Sequence, residues 1–220
     1  MEEIFRLDGV IMNFLSKVSD ICIISILWLL CCLPMVTIGA STTAAYYTIV
    51  KVVRRQTGTL HQEFVKSFKS NFKDSLLTNL IYLVIKGILG VNICLVFQSL
   101  ETTNSSFALD LLFIYVIFFL LVIGVEIYTY PILSRFVMGR IQLVMFSIML
   151  LFRHFPTTLL FITLFILSVV IMIVFPVGVI FMPGFCLYFY SNFMEKIIRK
   201  YMTEEMKKTW DELGKVEKEN

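Results

Sequence analysis

The chain has 220 residues, of which 58% are hydrophobic and 16% are charged, and its formal net charge is +3. Soluble domains contain about 45–50% apolar and about 25% charged residues, so this composition excludes a water-soluble globular protein. Two stretches without any charged residue, 21–50 and 155–194, each exceed the roughly 20 apolar residues that a transmembrane helix needs. The sequence therefore predicts an all-α, polytopic membrane protein.

The first transmembrane segment is predicted at about 18–33, after an amphipathic lead-in over residues 1–17. Pro34 ends this segment, because proline lacks a backbone N–H and disfavours helical geometry in the residue before it. Gly39 then adds backbone freedom. We therefore predict a break in the helix between Pro34 and Gly39.

A second, shorter helical piece is predicted from 40 to about 55. It begins with small and hydroxylated residues, among them Thr42 and Thr43, and such residues let transmembrane helices approach each other closely. The pattern favours a packing seam. A binding site is the alternative interpretation, because backbone groups freed at a broken helix can face a cavity. Whether this piece crosses the membrane stays open.

The next stretch, 51–73, contains six basic residues and one acidic residue. An excess of Lys and Arg in a short loop predicts a cytoplasmic location. Three phenylalanines recur at helical spacing, and three lysines lie largely off their stripe. The pattern predicts an interfacial amphipathic helix on the inner leaflet, and the membrane context argues against nucleic-acid binding. We call its key residues the basic elbow: Phe64, Phe68, Lys69, Asn71, Phe72 and Lys73.

Segments 3 and 4 are predicted at about 75–99 and 107–133, joined by an acidic loop that we place outside the cell. Each segment holds one deep ionisable residue, Lys86 in the first and Glu126 in the second. A charge at bilayer depth costs about 2.5–3.5 kcal/mol on insertion scales, so such residues usually face a partner or a cavity. We predict that Lys86 and Glu126 pair between adjacent antiparallel helices.

Further polar side chains extend this pair along both helices. Asn79 and Tyr82 share a helical face with Lys86, and Tyr130 follows Glu126 by one turn. We therefore predict an intramembrane polar seam between segments 3 and 4, formed by Asn79, Tyr82, Lys86, Glu126 and Tyr130. A structural ion pair is one interpretation of the seam, and the handling of a solute or a proton is the other.

The second half of the chain predicts a further interfacial helix and a hairpin. Residues 141–152 are uncharged but too few to span comfortably, so we place them at the membrane surface. The uncharged stretch 155–194 has prolines and glycines near its middle. It predicts two spans, at about 157–175 and 179–198, which return the chain to the cytoplasm.

Together these segments predict a transmembrane helical bundle over residues 1–200 and a charged cytoplasmic tail over 201–220. The bundle has about six membrane segments and two interfacial amphipathic helices, with both termini in the cytoplasm. Five full spans with the N-terminus outside is the alternative.

No catalytic or metal-binding motif occurs in the sequence. It contains no G-x-S-x-G, no G-x-x-x-x-G-K and no H-E-x-x-H. The five cysteines lie in apolar runs, where cysteine behaves as a small hydrophobe, and no Cys/His spacing suits zinc. We therefore expect no enzyme, no metal and no cofactor.

The stretch Leu33–Ala44, LPMVTIGASTTA, resembles the signature of the YesL-like family of bacterial integral membrane proteins, a domain of unknown function. The basic elbow is similar to that family's second motif, and the resemblance extends over nearly the whole chain to Tyr190-Ser191-Asn192. The residues that carry the first motif are Pro34, Thr37, Gly39, Thr42 and Thr43.

The resemblance implies a bacterial plasma membrane and association with carbohydrate uptake and sensing systems. We therefore expect a non-enzymatic accessory protein of such a system, with the basic elbow and the small-residue seam as its contact surfaces. Besides the lipid bilayer, the expected partners are sugar-transporter permease subunits or a sensor kinase, and no nucleic acid. A small-solute transporter with a broken-helix binding site is the alternative. The sequence predicts no particular oligomeric state.

Overall fold

The computed structural model describes residues 2–55, 57–103 and 106–208, and no strand occurs in this part of the chain. In chain order its elements are α1 (Glu2–Cys32), a 3-10 turn (Met35–Thr37), α2 (Ile38–Thr48), a π-helical turn (Ile49–Arg54), α3 (Leu60–Thr103), α4 (Ser106–Leu133), α5 (Arg140–Arg153), α6 (Phe155–Val174) and α7 (Gly178–Tyr201).

Among the residues that the structure describes, four stretches within α1, α3, α4 and α6 are long and apolar enough to cross a membrane. Large apolar side chains are exposed along these helices, as expected where lipid rather than water covers the surface. The predicted all-α class and membrane character are therefore confirmed. The four candidate spans are Leu15–Cys32, Leu60–Leu100, Phe107–Leu133 and Phe155–Val174, fewer than the six segments that the sequence predicts.

Helix α2 occupies the centre of the bundle, where it packs against α1, α3, α4 and α7. Its Ala40, Ala44, Ala45 and Tyr46 side chains are fully buried. Small side chains allow backbones to approach closely, which is how helices gain contact when there is no hydrophobic drive toward one another in lipid. This is the geometry of a packing seam, and it lies inside the protein.

The contact between α1 and α7 depends on Gly184. A Cβ at this position would lie 2.6 Å from the Ile21 carbonyl oxygen and 2.9 Å from Ile21 Cγ2. Ser25 also joins the two helices at this position. Its hydroxyl accepts a hydrogen bond from the Gly184 N–H at 2.9 Å and donates one to the Ile21 carbonyl at 2.9 Å. The two helices therefore meet through a glycine and a serine.

The sequence predicts an interfacial helix at the basic elbow and a separate segment 3, but this division is wrong, because both belong to one uninterrupted helix of 44 residues, α3. The sequence has no proline in α3 and no glycine before Gly87, so nothing there stops the helix. At 1.5 Å per residue, α3 is about 66 Å long, about twice the hydrocarbon core of a bilayer. The change in composition near residue 74 therefore falls within one continuous helix and does not mark its end.

The lead-in and segment 1 likewise form one helix, α1. The predicted limits of segment 4, of the helix at 141–152 and of the final hairpin agree with α4, α5, α6 and α7 to within a few residues. The interfacial location of α5 stays a prediction. Residues 209–220 of the predicted tail and 104–105 of the predicted outside loop lie outside the described residues.

We expect Gly184→Ala to destabilise the protein by about 1–3 kcal/mol, the usual cost of overpacking, because the added methyl would collide with the backbone of α1. The melting temperature in a mild detergent measures this. Gly87→Ala is the matched control, since a Cβ there meets no heavy atom within 4 Å, and its melting temperature should equal or exceed that of the wild type. An unchanged melting temperature for Gly184→Ala would contradict the close crossing of α1 and α7.

Candidate functional site

Lys86 of α3 and Glu126 of α4 form an ion pair between the two helices. The Lys86 Nζ atom lies 2.7 Å from Glu126 Oε2 and 3.0 Å from Oε1. The lysine side chain is 29% exposed and the glutamate side chain 12%. Each charge therefore has its counter-charge on the neighbouring helix, and this pairing lowers the cost of placing a charge within the membrane.

Tyr130 extends this pair along α4 toward the break in the chain. Its hydroxyl oxygen lies 2.7 Å from Glu126 Oε1 and 2.9 Å from Asn79 Oδ1. A tyrosine hydroxyl carries one hydrogen, so it donates to one of these oxygens at a time. Tyr130 and Asn79 are both buried. The hydroxyl thus connects the ion pair with Asn79 in the interior of the bundle.

Asn79 binds the backbone of the break itself. Its Nδ2 atom donates to the carbonyl oxygens of Met35 and Val36, each at 3.0 Å. Thr37 serves the preceding residues, because its hydroxyl lies 2.6 Å from the Cys31 carbonyl and 2.7 Å from that of Pro34. A helix broken in apolar surroundings must find donors for the carbonyls that leave the helical ladder. Asn79 and Thr37 provide them.

Gly39 lets α3 and α4 reach the break. A Cβ at this position would lie 2.8 Å from Tyr130 Cε1, 2.9 Å from Asn79 Cβ and 3.0 Å from the Ser75 carbonyl oxygen. No larger residue fits without moving two helices. The Pro34–Gly39 motif and the polar seam, which the sequence presents as separate features, are therefore one connected structure.

The two threonines of the motif serve helix packing. Trp28 Nε1 of α1 donates to Thr42 Oγ1 at 3.0 Å. Thr43 donates to the Gly39 carbonyl at 2.8 Å, and its oxygen lies 3.5 Å from Ser75 Oγ of α3. These contacts tie α2 to its neighbours and leave both hydroxyls with partners inside the protein.

Tyr82, the remaining seam residue, starts a second branch that leads to α5. Its hydroxyl oxygen lies 2.9 Å from Thr129 Oγ1, which in turn lies 3.1 Å from Ser147 Oγ. All three side chains are buried. Thr129 and Ser147 are not among the residues predicted from the sequence. The signal that could have identified Ser147 is that it is the one hydroxyl residue in the uncharged stretch 141–152.

The basic elbow begins inside the bundle. Phe64 is buried and packs with Ile49 and Val53, and its ring lies 6.3 Å from that of Phe68, centroid to centroid. The rings of Phe68 and Phe72 follow at 5.4 Å. The phenylalanine stripe therefore anchors α3 to the π-helical turn at one end.

The remaining residues of the basic elbow point away from that anchor or stay within the helix. The side chains of Lys69 and Lys73 are exposed. Asn71 Nδ2 donates to the Ser67 carbonyl at 3.0 Å, which is a contact within α3. The elbow is thus a packed aromatic stripe with cations on its outer side.

Two further ion pairs were not predicted, one of them buried and the other partly buried. Lys51 Nζ lies 2.9 Å from Glu63 Oε1, and both residues are buried. Arg135 Nη2 lies 3.0 Å from Glu195 Oε1, and the Tyr46 hydroxyl donates to the same oxygen at 2.8 Å. From sequence, Lys51 and Arg135 count only as loop charges, because the pairing depends on distant parts of the chain.

The described residues contain no group of three or more His, Cys, Asp or Glu that could hold a metal ion. The polar groups of the seam instead bind one another and the backbone. What the fold and the seam define is a helical membrane protein built around a broken, buried helix.

Residues 21–93 match the family described as "Protein of unknown function, DUF624". The matched region begins in α1, includes the break motif and the basic elbow, and ends in α3 shortly after Lys86. The match confirms the family resemblance over this region and is consistent with a YesL-like domain of unknown function. Searches of curated proteins and of solved structures found no match.

We expect Lys86→Glu and Glu126→Lys each to lower membrane yield and melting temperature, because each leaves two like charges facing each other in a partly buried contact. The double exchange should recover a substantial part of the loss. The readouts are the fluorescence of a C-terminal fusion and melting in detergent. The matched control is Asp74 with Arg140, an exposed pair separated by 3.6 Å, where single reversals should change little. A double exchange no better than the weaker single variant would contradict the pairing.

Proposed function

We propose that this protein is a non-enzymatic accessory component of a bacterial carbohydrate uptake or sensing system. It lies in the plasma membrane as a six-segment bundle with both termini in the cytoplasm. The family resemblance supports the biological setting. One observation supports the accessory role most directly: the polar side chains of the seam form hydrogen bonds and ion pairs with one another and with the backbone.

A transporter needs the ionisable groups of its binding site to be reachable from water. Lys86 and Glu126 instead bind each other, and Asn79 donates to the carbonyls of the break. One cavity of the structure is lined by residues of the π-helical turn and of the chain from α7 onward, and none of the seam residues lines this cavity. This arrangement supports a structural role for the seam.

The six-segment arrangement adds two segments to the four apolar candidates. One is α7, with 24 residues. The other is α2 with its π-helical turn, Ile38–Arg54, which at 1.5 Å per residue is about 25 Å long and approaches the thickness of the hydrocarbon core. The excess of Lys and Arg in 51–73 supports a cytoplasmic location for the start of α3.

The basic elbow is the contact surface that we assign to a partner. Lys66, Lys69 and Lys73 are exposed on α3, and Phe64 holds this part of the helix against the bundle. A fixed row of cations suits an acidic surface on a cytoplasmic part of a permease or sensor kinase. The small-residue seam of α2, the other surface considered, is buried inside the protein and so is not available to a partner.

Purification from the native membrane in mild detergent should recover sugar-permease subunits or a sensor kinase in stoichiometric amount, as measured by mass spectrometry. The triple variant Lys66→Gln, Lys69→Gln, Lys73→Gln should lose most of that partner, because the cationic row is gone. The triple variant Arg140→Gln, Arg153→Gln, Lys208→Gln removes equal charge elsewhere and should retain it. A clean wild-type preparation with no partner would contradict the accessory role.

The transporter alternative has one observation in its favour, the partial exposure of the Lys86 side chain. Under our proposal that exposure is to lipid. In a variant with all five cysteines replaced by alanine, Leu83→Cys and Leu89→Cys should therefore resist a membrane-impermeant maleimide in intact vesicles of either orientation. Lys69→Cys, on the exposed side of the elbow, is the control that should react from one face. Labelling at 83 or 89 without detergent would favour a water-filled path and hence a transporter.

A further inference from the structure

A cavity of about 280 Å³ lies between the π-helical turn and the C-terminal part of α7 with the residues that follow it. Five of its lining side chains are basic: Arg54, Arg55, Lys196, Arg199 and Lys207. The cavity is separate from the polar seam and from the basic elbow. The residues that form it come from distant parts of the sequence and meet only in the fold.

The cavity has one acidic lining residue, Glu195, and that carboxylate already has partners. Its Oε1 atom binds Arg135 Nη2 at 3.0 Å and accepts the hydrogen of the Tyr46 hydroxyl at 2.8 Å. Lys207 is also paired, since its Nζ atom lies 2.7 Å from Glu204 Oε1. The lining nevertheless contains more basic than acidic side chains. Like charges held close together repel, and a bound anion would relieve that repulsion.

The protein holds part of this cationic surface in a fixed position. Arg54 Nη1 donates to the Ser191 carbonyl at 2.8 Å, which directs the guanidinium toward α7. The buried side chains of Val50 and Met202 contribute apolar surface to the cavity, and low polarity nearby strengthens an electrostatic attraction. The cavity thus combines an arginine held in a defined orientation with an apolar part of its lining.

The π-helical turn that supplies Arg54 is a second observation in favour of a site. Six residues, Ile49–Arg54, adopt this rare conformation, and π-helical turns occur frequently at functional sites. Here the turn places Lys51 in a buried pair with Glu63, while Arg54 lines the cavity. Lys51 is therefore neutralised inside the protein, whereas Arg54 is part of the cavity lining.

We propose that this cavity binds a phosphate group, carried either by the head group of an anionic lipid or by a soluble phosphate ester. Arginine presents a planar fork of N–H donors that matches phosphate oxygens in pairs. Basic pockets between transmembrane helices on the cytoplasmic side are suited to phospholipid head groups. The volume is close to the lower limit of about 300 Å³ for ligand pockets, which suits a head group or a small ester.

The test uses the full-length protein in an uncharged detergent and measures melting temperature against ligand concentration, since a ligand of the folded state raises it. Phosphatidylglycerol in mixed micelles is compared with diacylglycerol, which lacks the phosphate. Glycerol 3-phosphate is compared with glycerol at matched ionic strength. We expect at least one phosphate compound to stabilise the protein more than its phosphate-free counterpart.

Lys196→Gln with Arg199→Gln should weaken the apparent affinity about tenfold or more, because the variant loses two charged hydrogen-bond donors of the cavity. Lys66→Gln with Lys69→Gln removes the same charge from α3 outside the cavity and should bind as the wild type does. The single variant Lys196→Gln, on an exposed side chain, keeps the test decisive if the double variant does not fold. It should weaken binding in the same direction.

The results also identify the source of the phosphate. Stabilisation by phosphatidylglycerol alone assigns the cavity to a lipid head group, and stabilisation by glycerol 3-phosphate assigns it to a soluble ester. The proposal is overturned if neither compound exceeds its phosphate-free counterpart, or if the cavity variants respond as the wild type does. Because the assay requires no partner protein, its outcome is independent of the accessory role proposed above.

Discussion

The break at Pro34 leaves backbone carbonyls that need hydrogen-bond donors, and the arrangement of the other helices depends on this requirement. It takes backbone carbonyls out of the helical ladder in apolar surroundings, where an unsatisfied polar group costs several kcal/mol. Asn79 donates to two of them, and Thr37 serves the residues before. For Asn79 to reach the break, α3 must lie directly against it, and Gly39 is what permits that approach.

Once α3 is placed in this way, the position of α4 follows. Tyr130 must reach Asn79 and Glu126 must reach Lys86, and these two contacts lie seven residues apart on α3 and four apart on α4. Because these two polar contacts lie at different positions along the helix axes, together they set the axial register of α3 against α4. A buried ion pair is by itself weak evidence of stability. Its contribution here is to specify how α3 and α4 align.

The sequence predicts those features that rest on local chemistry. Proline and glycine mark the break at Pro34–Gly39, and helical spacing groups Asn79, Tyr82 and Lys86 on one face. The continuity of α3 could also have been predicted, since no proline or early glycine interrupts it. The amphipathic pattern of the basic elbow indicates a change in the environment of the helix, and it does not indicate that the helix ends there.

What could not be predicted depends on segments that meet only in the fold. Asn79 binds Met35, 44 residues earlier, and Tyr46 binds Glu195, 149 residues later. Spacing along one helix identifies a face but not what covers it. For the same reason the basic residues near the helix ends count as solvated loop charges in the sequence, although Lys51 and Arg135 are paired in the interior.

The network of polar contacts also extends beyond the region that matches the family. Residues 21–93 contain Asn79 and Lys86 but neither Tyr130 nor Glu126. That region alone would leave Lys86 without its counter-charge at bilayer depth, which is costly. It would also lack the Gly184 and Ser191 contacts of α7 with α1 and with the π-helical turn. Helices α4 and α7 are therefore part of the same unit as the motif, and a function assigned to the motif must include them.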